Sequence, residues 1–129
     1  MFRHARILAG IALPAILAAC SAPSTPPLYS WQNFQEQQYL YLQGKTDPQV
    51  QITAMEKASE KARAKGLSVP PGFHAHLGLL YATSGRTDLA QQEFTQEKTL
   101  FPESALYMDF LLKNMSQSQS VTPTAKVSS

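Results

Sequence analysis

Apolar residues recur at steps of three and four through the middle of the chain, and these steps mark helices. Trp31, Phe34, Gln38, Tyr41 and Leu42 keep this spacing, with Tyr39 and Leu40 beside them. They predict a first helix over about 29–43, ended by Gly44. Ile52, Met55, Ala58 (or Ser59) and Ala62 form a narrow apolar stripe on a second helix over about 48–65. Thr46-Asp47-Pro48 supplies a cap and a first-turn proline, and Gly66 supplies the stop. Glu56, Lys57, Glu60, Lys61 and Lys65 fall on the other side of that helix and read as a solvated face. Pairs four residues apart there contribute only about 0.2–0.5 kcal/mol each. Val69-Pro70-Pro71-Gly72 cannot continue a helix and makes a turn. A third helix is expected over 73–83, a turn over 84–87, and a fourth helix over 88–100 with Thr87 as its cap. Pro102 follows its end, and a fifth helix covers about 103–114. No strand-like alternation occurs outside the N-terminal leader. The expected fold class is all-α, with about five helices arranged as antiparallel hairpins.

The two ends of the chain read differently. Arg3, His4 and Arg6 make a basic start, and Ile7 to Leu17 is an apolar run with Pro14 as a mild break. The run is shorter than the roughly 18–20 residues that span a bilayer as a helix, which argues against a signal anchor. It closes on Leu17-Ala18-Ala19-Cys20, small residues where a signal peptidase needs room. That tetrapeptide resembles the bacterial lipobox. The resemblance implies that residues 1–19 are a signal peptide and that Cys20 becomes the lipid-bearing, palmitate-carrying first residue of the mature protein. The alternative is an ordinary signal peptide followed by a stray thiol. Cys20 is the only cysteine, and a lone exposed thiol in an oxidising compartment would be a liability. Ser21, rather than Asp, follows it, which by the same resemblance implies outer-membrane sorting. Residues 20–28 read as the lipidated cysteine and a Ser/Pro-rich tether (SAPSTPPL), whose eight residues after Cys20 reach at most about 26–29 Å. Residues 29–115 are left for the helical domain, enough for a modest core without disulfides. The polar segment 116–129 reads as a disordered tail.

Charge then excludes one class of partner. The chain has 11 Lys+Arg against 9 Asp+Glu, and removal of Arg3 and Arg6 leaves nine of each. A neutral mature domain carries no electrostatic footprint for nucleic acid. Membrane contact is expected through the N-terminal lipid, each buried methylene contributing about 0.8 kcal/mol.

The most specific pattern lies in the third and fourth helices. It reads His74-x-x-Leu77-Gly78-x-x-Tyr81, then Gly85, then Ala90-x-x-x-Phe94, then Pro102. This resembles the tetratricopeptide signature at every spacing. Gly78 and Ala90 are small where two antiparallel helices approach, and Leu77, Tyr81 and Phe94 fill the space between them. Two positions depart from the pattern: His74 stands where the family often has Trp, and Glu97 where it prefers Ala. Glu97 is expected to pair with Lys98 or His74, or else to alter the packing there. A single repeat cannot bury its faces alone, so the first two helices and a C-terminal capping helix (Ala105, Leu106, Met108, Phe110, Leu111, Leu112) are expected to stack on it. Leu28-Tyr29-x-Trp31, Pro70-Pro71-Gly72-x-His74-Ala75-x-Leu77-Gly78-x-Leu80-Tyr81 and Glu97-Lys98-x-Leu100-Phe101-Pro102-Glu103-Ser104 resemble a family of small bacterial lipoproteins known as domain of unknown function 4810. The resemblance implies a periplasm-facing outer-membrane lipoprotein, a companion of a pore lipoprotein similar to the curli secretion channel.

The search for chemistry is mostly negative. Cys20 is taken by lipid, so no Cys–His nucleophile remains. His74 and His76 project about 200° apart on one helix, and a shared metal wants an i, i+4 pair. One of them is expected to pack inside and the other to face outward or cap a neighbour. Glu93 and Glu97 are four apart and read as the solvent edge of the fourth helix. No phosphate loop, Gly-x-Ser-x-Gly elbow or dinucleotide turn occurs. No cofactor, metal or enzymatic activity is expected.

A binding role is the better expectation. Tetratricopeptide pairs present the first helix of each pair to a groove, which here means Ala75, Leu79, Ala82 and Thr83. That small apolar face suits an extended or helical peptide, unless the first two helices cover it. Tyr29, Trp31, Tyr39 and Tyr41 add aromatic surface near the tether, with core packing as their alternative use. The reading is a lipid-anchored adaptor or assembly factor for a protein partner in the cell envelope. Its alternatives are a regulator of an envelope enzyme, such as a cell-wall synthase, and a hydrolase with an unrecognised motif.

Overall fold

Capping residues and glycines place most of the helix ends where the apolar spacing puts them. The computed structural model describes residues 25–120. The expected leader 1–19, Cys20, the first part of the expected tether and the last nine residues lie outside the described residues. Five α-helices follow in order: α1 (Phe34–Gln43), α2 (Pro48–Ala64), α3 (Phe73–Thr83), α4 (Thr87–Leu100) and α5 (Ala105–Ser120), with a 3-10 turn at Pro102–Ser104. The fold of the described residues is all-α. Each helix packs against its neighbours in the chain, and the α3–α4 contact is the most extensive.

The start of α1 differs from expectation. Residues 29–33 are not helical, because Ser30 donates its N–H to the Ser68 carbonyl at 2.8 Å. Tyr29 and Ser68 form an isolated parallel bridge. Gln32 then takes a positive φ of 39°, which no helix accommodates. The Tyr29 ring meets Phe101 edge-on at 6.2 Å, so this segment reaches the far end of α4.

α2 begins as its sequence dictates. Asp47 Oδ1 accepts from the Gln49 N–H at 2.6 Å, and Pro48 fills the first turn. Its buried stripe is Gln51, Ile52, Met55, Ala58 and Ala62. α2 and α3 end in the same way. Gly66 donates to Arg63 and Leu67 to Ala62; Gly85 donates to Ala82 and Arg86 to Tyr81. Gly66 and Gly85 have φ of 66° and 75°, the left-handed conformation that this ending requires. Arg86 thus ends one helix and precedes the next, and Thr87 is the first residue of α4 rather than its cap.

α3 is the centre of the molecule. Seven of its eleven residues are buried: Phe73, His74, His76, Leu77, Gly78, Leu80 and Tyr81. A helix buried on so many sides needs neighbours on each. α2 and α4 flank it, and α1 reaches it through Phe34, whose ring lies 5.4 Å from that of Phe73. The Tyr81 hydroxyl donates to Glu56 of α2 at 2.6 Å, which fastens the two helices. α5 continues to Ser120, past the expected end at Asn114 and into the segment read as tail. Leu111, Leu112 and Met115 of this helix pack against the core.

The closest helix approach is at Gly78. A Cβ there would stand 2.6 Å from Phe94 Cε1. Phe94 is almost fully buried and cannot swing aside. Gly78→Ala should therefore destabilise the fold by about 1–3 kcal/mol despite the better helix propensity of alanine. A fall in the urea midpoint at unchanged m-value is the expected result; an unchanged midpoint would show that the α3–α4 contact is loose.

Candidate functional site

The residues expected to form a binding face divide on inspection. Ala75, Leu79 and Ala82 are half-buried against the core, and Thr83 is exposed. Thr83 spends its hydroxyl on the Leu80 carbonyl at 3.0 Å. Leu79 and Ala82 line an open groove of about 450 Å³, together with Phe94 of α4 and Leu111, Asn114 and Met115 of α5. Ala75 and Thr83 are not part of it. The groove walls from α5 went unrecognised in the sequence: Leu111 reads there only as part of the capping helix, and residue 115 only as the end of the expected domain. The first two helices do not line the groove, so they do not cover it. Its lining is chiefly apolar, with Asn114 and a few hydroxyls at the edge.

The other end of α3 holds the polar groups. α3 starts after Gly72, which has φ of 86° and no side chain to cap the first amides. Glu97 of α4 takes that role. Its Oε1 accepts from the Gly72 N–H at 2.6 Å, and its Oε2 accepts from the Ala75 N–H at 3.2 Å. A carboxylate at a helix N-terminus meets both unsatisfied donors and the positive end of the helix dipole. One turn earlier on α4, Glu93 Oε2 lies 2.6 Å from His74 Nδ1. The expectation of a solvent edge for Glu93 and Glu97 is therefore corrected: Glu97 is 2% exposed, and both acids face α3. The pairing of Glu97 with Lys98 or His74 is corrected as well. Lys98 instead binds Asp109 of α5 at 2.6 Å.

Both histidines are buried, so neither faces outward. His74 turns to α4. His76 turns to α1, with its ring 5.2 Å from Tyr41 at 88° and 6.1 Å from Phe34. Burial lowers the His76 pKa below 6.5, opposed in part by a hydrogen bond to the Gln37 backbone. Its Nε2 is buried without a partner, a place for a neutral ring and a poor one for a cation. Tyr81 is pushed up by burial and by Glu56, and stays a neutral donor.

This geometry supplies little chemistry. Glu97 has both oxygens on backbone amides. Ser59 and Ser68 line a small cavity of about 190 Å³ with His74, yet neither hydroxyl hydrogen-bonds to the ring. Among the described residues, no three His, Cys, Asp or Glu side chains gather as a metal site. No described helix is long and apolar enough to cross a membrane.

A family model described as domain of unknown function (DUF4810) matches residues 28–111. The chain belongs to the DUF4810 family. The match runs from Leu28 to Leu111, the first α5 residue of the groove wall. No curated protein and no solved structure matches the chain significantly.

Two outcomes follow from the polar end of this DUF4810 domain. Glu97→Gln turns one acceptor into a donor facing a backbone N–H, and should cost about 1–3 kcal/mol in a denaturant titration. His76 gives a pH dependence. Its folded pKa is depressed, so the unfolded chain binds the extra proton. Its contribution is full above pH 6.5 and is lost as pH falls from there through the folded pKa. Stability should fall over that window, and His76→Gln should remove this part of the fall. A variant that keeps the whole slope would assign it to another group.

Proposed function

We propose that this DUF4810 protein is a lipid-anchored, periplasm-facing adaptor of the bacterial outer membrane that binds a protein partner in the cell envelope through the Leu79–Met115 groove. The groove is the observation that carries the reading. It is a concave, mainly apolar surface beside a rigid helix, the form that takes an amphipathic helical or extended peptide. The spacing of the tetratricopeptide signature supports it. Gly78 sits against Phe94, Gly85 makes the turn between the two helices, and Pro102 follows the end of the second. We read α3 and α4 as one such repeat, with α5 stacked on its second helix.

The Leu17-Ala18-Ala19-Cys20 tetrapeptide supports the anchor. With the tether before Tyr29 spanning at most about 26–29 Å, the domain would stay near its membrane and meet partners held there at raised local concentration. A pore lipoprotein similar to the curli secretion channel is one partner of that kind.

Each half of the proposal has its own test. Cys20→Ala should leave uncut precursor in the membrane fraction, and normal cleavage would remove the lipoprotein reading. Leu79→Glu places a charge in the groove at a half-buried position. It should weaken partner binding by roughly tenfold or more while the far-ultraviolet spectrum stays helical. Retained binding would move the partner site elsewhere. A partner enzyme whose turnover rises on binding would turn the adaptor into a regulator.

A further inference from the structure

α5 has two faces, and only one is used by the fold. Met108, Leu111, Leu112 and Met115 face the core. On the outside, Leu106 is 88% exposed, Tyr107 55% and Phe110 57%. The rings of Tyr107 and Phe110 stack at 6.4 Å and 16°. The last helix of a stack normally turns a polar face to water, since nothing further covers it. Here three large apolar side chains lie together on that face, beyond what scattered surface residues explain.

The nine residues after Ser120, VTPTAKVSS, carry little apolar surface that could cover them, with two valines and an alanine besides a proline. The pattern along the face points to the occupant. Glu103, Leu106, Phe110 and Lys113 are spaced three, four and three apart, which sets them in one seam down the helix and its leading turn. All four are exposed. Asp109, beside the seam, is taken up by Lys98.

The seam thus runs acid, apolar, apolar, base. This order complements itself when reversed. We propose that α5 is the interface of a two-fold symmetric dimer, in which the seams of two copies pair antiparallel. Leu106 then meets Phe110 of the second copy, and Glu103 meets Lys113 of the second copy. Each contact occurs twice, as two-fold symmetry requires. A parallel pairing would set Glu103 against Glu103 and Lys113 against Lys113. Tyr107 lies beside the seam and closes over it. Leu111 and Met115 stay on the other face, so the dimer leaves the groove open and its test is independent of partner binding.

Sedimentation velocity of the full chain in density-matched detergent tests the proposal. The unaltered chain should sediment as a dimer, and Phe110→Glu should sediment as a monomer. Glu103→Lys and Lys113→Glu each set two like-charge pairs across the interface and should weaken dimerisation by about tenfold or more. The double variant E103K/K113E reverses both partners and should restore the dimer. All these positions are exposed, so helix content by circular dichroism should not change. An unaltered chain that is monomeric, a dimer that the single reversals leave intact, or a double reversal no better than the singles overturns the proposal.

Discussion

The Glu97 carboxylate on the first amides of α3 is the contact on which the rest of this structure depends. α3 is the one helix buried on most of its circumference, and it begins without a cap of its own. Buried amides left without acceptors at that point would cost several kcal/mol together. Glu97 accepts from two of them and comes from α4, so the cap of one helix is also a fastening to the next. The register it sets carries along the pair. Glu93 meets His74 one turn on, Phe94 closes over Gly78, and the Gly85 turn joins the far ends. α2 then packs on one side of this clamped hairpin and α5 on the other.

That arrangement explains which parts of the structure were legible in the sequence. The ends of α2 and α3 are local events, decided by Asp47, Pro48, Gly66 and Gly85, and spacing reads them directly. The close approach at Gly78 was also legible, because a small residue three before Tyr81 on one helix and Ala90 four before Phe94 on the next imply it. The start of α1 was not. The Ser30–Ser68 bond joins segments far apart in sequence, and no local pattern announces it. Glu97 was misread as an outward charge for the same reason: its partners lie more than 20 residues away. A signal was nonetheless present. Pro70-Pro71-Gly72 opens a helix with no Ser, Thr, Asp or Asn to cap it, which leaves donors that something must satisfy. An acid where the repeat pattern wants alanine was the candidate. His74, the other departure from that pattern, pairs with Glu93 across the same helix contact.

The candidate site divides along the same line. Leu79 and Ala82 follow from helix periodicity on α3. Leu111 and Met115 depend on how α5 lies across α4, a tertiary fact that the polar composition after Asn114 concealed. The polar groups at the opposite end of α3 are consumed by folding. Glu97 and His74 hold helices together, and His76 sits neutral among rings. On the proposed reading, this leaves a rigid domain that works through surface rather than chemistry, with the groove on one side of α5 and the apolar seam on the other.

Site-specific photocrosslinking in intact cells tests the groove most directly. A photoreactive residue at position 79 or 115 should give the same discrete adduct with an envelope protein, and one at Thr95, on the exposed face of α4, should give none. Equal adducts from all three positions, or none from the groove, would contradict the account.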